Sequence, residues 1–180
     1  MQNNISLFLG TGLIYLVIFI LPIFIYLRVK HKVKPLTYLR LKGNVRKGIL
    51  SGVLVSILFI ILLIIKNSII GWKSINFNIG LLWISVICVG IFEEIPFRGF
   101  LLQQLRKHMS FWSANIITSI VFVVFHFPTW IISHVNIVSA SIPILMGSLA
   151  FGYLFEEYKS LWSPIICHSV FDLCTWIGLA

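Results

Sequence analysis

From residue 48 to residue 65 the chain reads GILSGVLVSILFIILLII, eighteen residues without a charge. Wound as a helix at ~1.5 Å per residue, such a run approaches the roughly 30 Å hydrocarbon thickness of a bilayer. No other feature restricts the possible folds as strongly. Comparable apolar runs fall at about residues 5–27, from 79 onward, 111–127, 137–155 and 161–179. The chain is 59% hydrophobic, whereas soluble domains rarely exceed about half. Period-two strand patterning is absent, which argues against a β-barrel. The pattern predicts an all-α, polytopic, multi-pass protein of the cell membrane. It predicts about six transmembrane helices in a single integral membrane domain over residues 1–180.

The formal net charge of +9 could point to nucleic acid, but its placement excludes that partner. Eight of the fourteen Lys and Arg lie between Arg28 and Lys47, flanked by apolar runs. This is a positive-inside signal that puts the 28–47 loop in the cytoplasm and makes the lipid bilayer the partner. Arg106, Lys107, His108 and Lys159 join the same side, and both termini then lie outside. Lys66, Asn67 and Lys73 read as a polar connection between spans. Cys88, Cys167 and Cys174 all fall in apolar runs, with no spacing that suggests a disulfide or a cysteine-rich zinc site. Cys167 adjoins His168, but neighbours on a helix point to different faces, so buried packing is the expected role.

Within this apolar background, residues 91–107 read IFEEIPFRGFLLQQLRK. The chain has only five carboxylate side chains, and two of them stand here. The spacing predicts a long third helix over residues 79–107, about 43 Å in length and kinked near Pro96, which removes one ladder hydrogen bond. Measured from the cytoplasmic ends, Glu93 and His126 lie about 21 Å deep and His168 roughly 12 Å. Asp172, one turn beyond His168, shares its face. Three of the five carboxylates are thus expected inside the membrane, where an ionisable group costs several kcal/mol and is a functional hypothesis by default. Glu156 and Glu157 are expected in a loop beside Lys159.

Glu94 and Arg98, four apart, can form an ion pair. Glu93, rotated about 100° away, is free for another partner. A buried carboxylate beside histidines can act as general base toward water. The histidines and Asp172 can either hold a divalent metal or stabilise an oxyanion. Both routes lead to hydrolysis of an acyl bond, most naturally a peptide bond.

The segments EEIPFRG, FVVFH and HSVFD resemble the CPBP intramembrane protease family, also called the CAAX protease or Abi family. Its pattern is Glu-Glu-x-x-x-Arg, then Phe-x-x-x-His, then His-x-x-x-Asn/Asp on successive membrane helices. The match falls on Glu93, Glu94 and Arg98, on Phe122 and His126, and on His168 and Asp172, within a family-like core over residues 80–176. The resemblance implies a CPBP-type intramembrane endopeptidase, usually labelled a metalloprotease. In it Glu93 activates water, Glu94 assists through Arg98, and His126, His168 and Asp172 bind a metal or face the oxyanion. A site of Glu93, His126, His168 and Asp172 holding zinc or another divalent metal is one expectation; a metal-free site is the other. Asp172 departs from the Asn common in eukaryotic relatives, and the zincin HExxH is absent. Implied substrates are membrane-associated peptides or proteins: pheromones, bacteriocin precursors or CAAX-like tails.

Plainer readings stand beside these. Glu94–Arg98 can be a structural ion pair, His126 a hydrogen-bonded core histidine, His168–Asp172 a helix-stabilising contact and Phe122 packing. Gly147, Ser148 and Gly152 read as small residues that let helices approach. The competing function is a non-catalytic bacteriocin-immunity or scaffold protein of the membrane. An ion-coupled transporter ranks last, since no internal repeat is present.

Overall fold

The computed structural model describes residue 10 and residues 12–180, and over these residues the protein is helical with no strand. Helix α1, Gly12–Val29, is π-helical over Leu16–Ile20 and α-helical over Leu21–Val29. The first part of the expected first span, through residue 9 together with residue 11, lies outside the described residues. A short α2, Pro35–Tyr38, sits in the basic loop. Helices α3 (Val45–Ile70), α5 (Phe111–Ile132) and α6 (Ile137–Tyr158), together with α1, are long and apolar enough to cross a membrane. Between α3 and α5, helix α4 covers residues 82–105, and α7 (Trp162–Trp176) completes the bundle. These six helices correspond to the six predicted spans.

The third span departs from its expectation in form. It starts at Leu82, is α-helical through Glu94, π-helical over Ile95–Leu102, and α-helical again over Gln103–Leu105. A single kink at Pro96 was expected; eight residues of widened helix are found instead. Proline lacks an N–H and crowds the preceding turn. A π turn absorbs that defect by shifting the ladder to i→i+5, a form that recurs at functional sites. The side chain of Gln103 folds back and donates to the carbonyls of Gly99 (2.5 Å) and Tyr38 (2.8 Å), satisfying backbone at the end of the widened segment.

Two further expectations change. Lys66 and Asn67 belong to α3 rather than to a connection, because the Asn67 amide is buried and donates to the Leu179 carbonyl at 2.9 Å. Glu156 and Glu157 lie in the last turn of α6, not in a loop. Glu156 is held there by Arg40, Arg106 and Lys159.

Helix α7 is the hub and packs against α3, α4 and α6, while α5 packs on α6 and on the π segment. Close approach depends on small residues, as is usual where lipid tails supply no hydrophobic drive between helices. A Cβ on Gly90 of α4 would lie 2.8 Å from the Ile165 carbonyl of α7. Gly152 of α6 receives the side chain of Asn115, whose Nδ2 donates to the Leu149 carbonyl at 3.0 Å. Leucine and isoleucine side chains face outward along α3 and α5, Leu54 at 66% exposure among them, as expected for a lipid-facing surface.

Candidate active site

Glu93 and Glu94 end the first α-helical part of α4, immediately before the π segment, and both are buried. Glu94 is fully enclosed. Its Oε1 accepts from Arg98 Nη1 at 2.7 Å and lies 2.8 Å from His168 Nδ1. A carboxylate accepts only, so the hydrogen sits on Nδ1 of His168. Arg98 is also fully buried, and its Nη2 donates to Ser148 of α6 through both Oγ (2.6 Å) and the carbonyl (3.1 Å). Its guanidinium lies over the Phe122 ring at 4.6 Å, a cation–π contact in a desolvated setting. One charge pair therefore ties α4 to α5, α6 and α7.

The two histidines present their other nitrogens to Glu93. His126 bonds the Phe122 carbonyl through Nδ1 at 2.8 Å, and because a carbonyl only accepts, Nδ1 carries the hydrogen. Its Nε2 stands 3.9 Å from Glu93 Oε2. His168 Nε2 stands 3.8 Å from the same oxygen and 3.7 Å from Asp172 Oδ2. The His168 ring is stacked on Phe151, centroids 5.3 Å apart, and Phe122 meets it edge-on. Among the described residues Glu93 Oε2 is a buried oxygen with no hydrogen-bond partner. Its other oxygen accepts a long bond, 3.4 Å, from the Tyr15 hydroxyl of α1.

The structure thus brings all six sequence-derived residues into one cluster built from α4, α5 and α7. The Glu94–Arg98 pair forms as expected. The unexpected element is that Glu94, and not only Glu93, engages a histidine. Three contributors to the cluster carry no chemical signal in the sequence: Tyr15, Ser148 and Phe151. Ser148 was read as a spacer but holds Arg98. Cys167 faces away and donates to the Gly52 carbonyl at 3.5 Å, a packing role.

The donor types suit a divalent metal, and the fixed Nδ1 hydrogens leave each Nε2 directed inward, as second-shell bonds do in metal sites. The spacing does not match a preformed one. Two ligands sharing a tetrahedral zinc at 2.0–2.1 Å stand about 3.3 Å apart, against 3.8 and 3.9 Å here. Among the described residues no set of three or more His, Cys, Asp and Glu has metal-holding geometry.

A family model described as type II CAAX prenyl endopeptidase, Rce1-like, matches residues 74–174, more than half of the chain. The chain belongs to that family. Neither curated proteins nor solved structures give a match. The Rce1-like segment runs from just before α4 to the end of α7 and contains Glu93, Glu94, Arg98, His126, His168 and Asp172, together with Ser148 and Phe151. Tyr15 lies outside it. Helices α1 and α3 also lie outside the matched segment, and α1 reaches the site through that tyrosine.

Proposed function

We infer that the protein is an intramembrane endopeptidase that hydrolyses a peptide bond in or near the bilayer, with Glu93 as general base. The family supports a membrane endopeptidase at its own level. The observation that carries the finer reading is the bare, buried Oε2 of Glu93 facing two imidazole Nε2 atoms at 3.8 and 3.9 Å. That gap is too wide for a direct hydrogen bond and leaves Oε2 available to a water or a substrate atom.

In this reading Glu93 Oε2 takes a proton from water as the oxygen attacks the scissile carbonyl carbon. The carbonyl π bond becomes a tetrahedral oxyanion; since Nδ1 of each ring already carries a hydrogen, His126 and His168 donate to that oxyanion through Nε2 in their imidazolium form. The intermediate collapses, the C–N bond breaks, and Glu93 returns its proton to the leaving nitrogen. Glu94, itself held by Arg98, fixes the ring plane and Nδ1 hydrogen of His168, while Asp172 stands beside its Nε2. The substrate is a membrane-associated peptide or protein. CAAX-like tails fit the family's description, while pheromone and bacteriocin precursors fit the membrane setting.

The test uses the purified chain in lipid, a panel of synthetic peptides of these classes, and the variants Glu93→Gln, His126→Ala and His168→Ala. The proposal expects a new peptide terminus with wild type and none with the three variants. Metal content per chain, measured on wild type and His126→Ala/His168→Ala, decides between the metal-assisted and the metal-free site. Undiminished processing by Glu93→Gln would overturn the general-base assignment. A cellular phenotype unchanged in all three variants would instead favour a scaffold or immunity role.

A further inference from the structure

At the basic end of the bundle, remote from Glu93, a cavity of about 190 Å³ opens between the α4 terminus, the α6 terminus and the loop before α3. Its rim carries Arg40, Arg106 and Lys107, and Leu102 and Phe155 line it from the apolar side. A single carboxylate, Glu156, faces these cations. Arg40 and Arg106 each reach it only at 3.5 Å, and Lys159 contacts it from outside the cavity. Among the described residues Lys107 pairs with no acid; its Nζ donates to the neutral Gln104 Oε1 at 2.7 Å. The cavity therefore keeps an excess of positive charge in a concave, half-enclosed place.

Arg40 is built into this rim rather than trailing from it. Its backbone adopts φ 56°, a left-handed conformation rare for a non-glycine residue and one that surrounding structure must hold. Its carbonyl accepts from Leu161 N at 3.0 Å, its Nη1 donates to the Phe155 carbonyl at 3.3 Å, and its guanidinium covers the Phe155 ring at 4.5 Å. Cations at a helix C-terminus complement the macrodipole without any cavity; a fixed arginine roofing an apolar floor does more than that. Beside this end, Trp112 and Tyr153 stack on each other at 6.3 Å and face outward, the arrangement of an aromatic belt at headgroup level.

We propose that this cavity binds the phosphate of an anionic phospholipid headgroup, with the acyl chains descending past Trp112 and Tyr153. Its volume accommodates a phosphodiester and several waters at roughly 30 Å³ per water. Basic pockets between membrane helices on the cytoplasmic side recognise such headgroups, and each nearby cation strengthens the attraction. The site is independent of the proteolytic reading, because none of its residues touches the Glu93 cluster.

The full chain is purified into nanodiscs of phosphatidylcholine alone or with phosphatidylglycerol, and retained lipid is counted by native mass spectrometry. Wild type is expected to retain about one phosphatidylglycerol and no comparable phosphatidylcholine. Arg106→Gln/Lys107→Gln lowers that retention by roughly tenfold or more. Equal retention by wild type and the double variant overturns the proposal. So does saturation of the site by millimolar inorganic phosphate with no preference for the anionic lipid, which assigns it to a soluble anion. If the double variant does not fold, Lys107→Gln alone, whose side chain bonds Gln104 and lies over the Tyr38 ring, carries the same comparison with a smaller expected loss of about threefold to fivefold.

Discussion

Replacing Arg98 by methionine tests how the cluster is held together. The guanidinium is fully buried, bonds Glu94 Oε1 at 2.7 Å, donates twice to Ser148 and lies over Phe122. Methionine fills similar space but leaves the Glu94 carboxylate in the protein interior without its cation. Breaking a buried pair in that way costs about 3–5 kcal/mol, and the orphaned Ser148 hydroxyl adds about 1 kcal/mol or more. For a chain of this size that is a melting-temperature drop of roughly 10–20 °C. Adding Glu94→Gln removes the stranded charge while keeping an acceptor for His168 Nδ1. The double variant is therefore expected to be more stable than Arg98→Met by about 2–3 kcal/mol, or roughly 5–10 °C. It should stay about tenfold to a hundredfold less active, since the charged partner that orients His168 is gone. Thermal unfolding of the reconstituted protein, followed by intrinsic tryptophan fluorescence, reads the stability order. A double variant no more stable than Arg98→Met would refute the idea that the buried charge dominates.

Three other outcomes follow from single contacts. Glu93→Gln should lower peptide cleavage by about 10²-fold or more, while its melting temperature stays close to wild type, because Oε2 bonds nothing among the described residues. Tyr15→Phe removes the hydroxyl that donates to Glu93 Oε1 and should reduce kcat about threefold to tenfold with little change in KM, as judged by steady-state cleavage of one peptide. Gly152→Ala places a methyl against the Asn115 amide, and such overpacking costs about 1–3 kcal/mol. Its melting temperature should fall by roughly 3–10 °C without a change in the cleavage site.

Much of this architecture is readable from run length and from the position of rare charges. Uncharged stretches such as 48–65 leave little alternative to a membrane helix, and three acids in an otherwise apolar background mark the site. The rest depends on contacts that no local pattern encodes. Asn67 reads as a loop residue until its partner, the Leu179 carbonyl, is known. Glu156 reads as a loop acid beside Lys159 until Arg40 and Arg106, from two other segments, are seen around it. Pro96 announces a break in the helix but not that the ladder widens over eight residues, because a π segment keeps the same apolar composition. Tyr15 is one polar atom in an apolar run, and its partner lies 78 positions away. Ser148 looked like a spacer because size and hydrogen-bonding capacity come in the same side chain. The choice of Glu94 rather than Glu93 for His168 Nδ1 is a matter of an angle between helices, which spacing alone does not supply.

The central claim is that Glu93 of α4 lies between the Nε2 atoms of His126 and His168 from two other helices. Dipolar-dephasing solid-state NMR on lipid-reconstituted protein, with ¹³C in the glutamate carboxyls and ¹⁵N at histidine Nε2, measures that arrangement directly. The account predicts short-range coupling from Glu93 to both imidazoles, consistent with contacts of 3.8 and 3.9 Å, each lost when its own histidine is replaced. The absence of coupling from Glu93 to either histidine would contradict it.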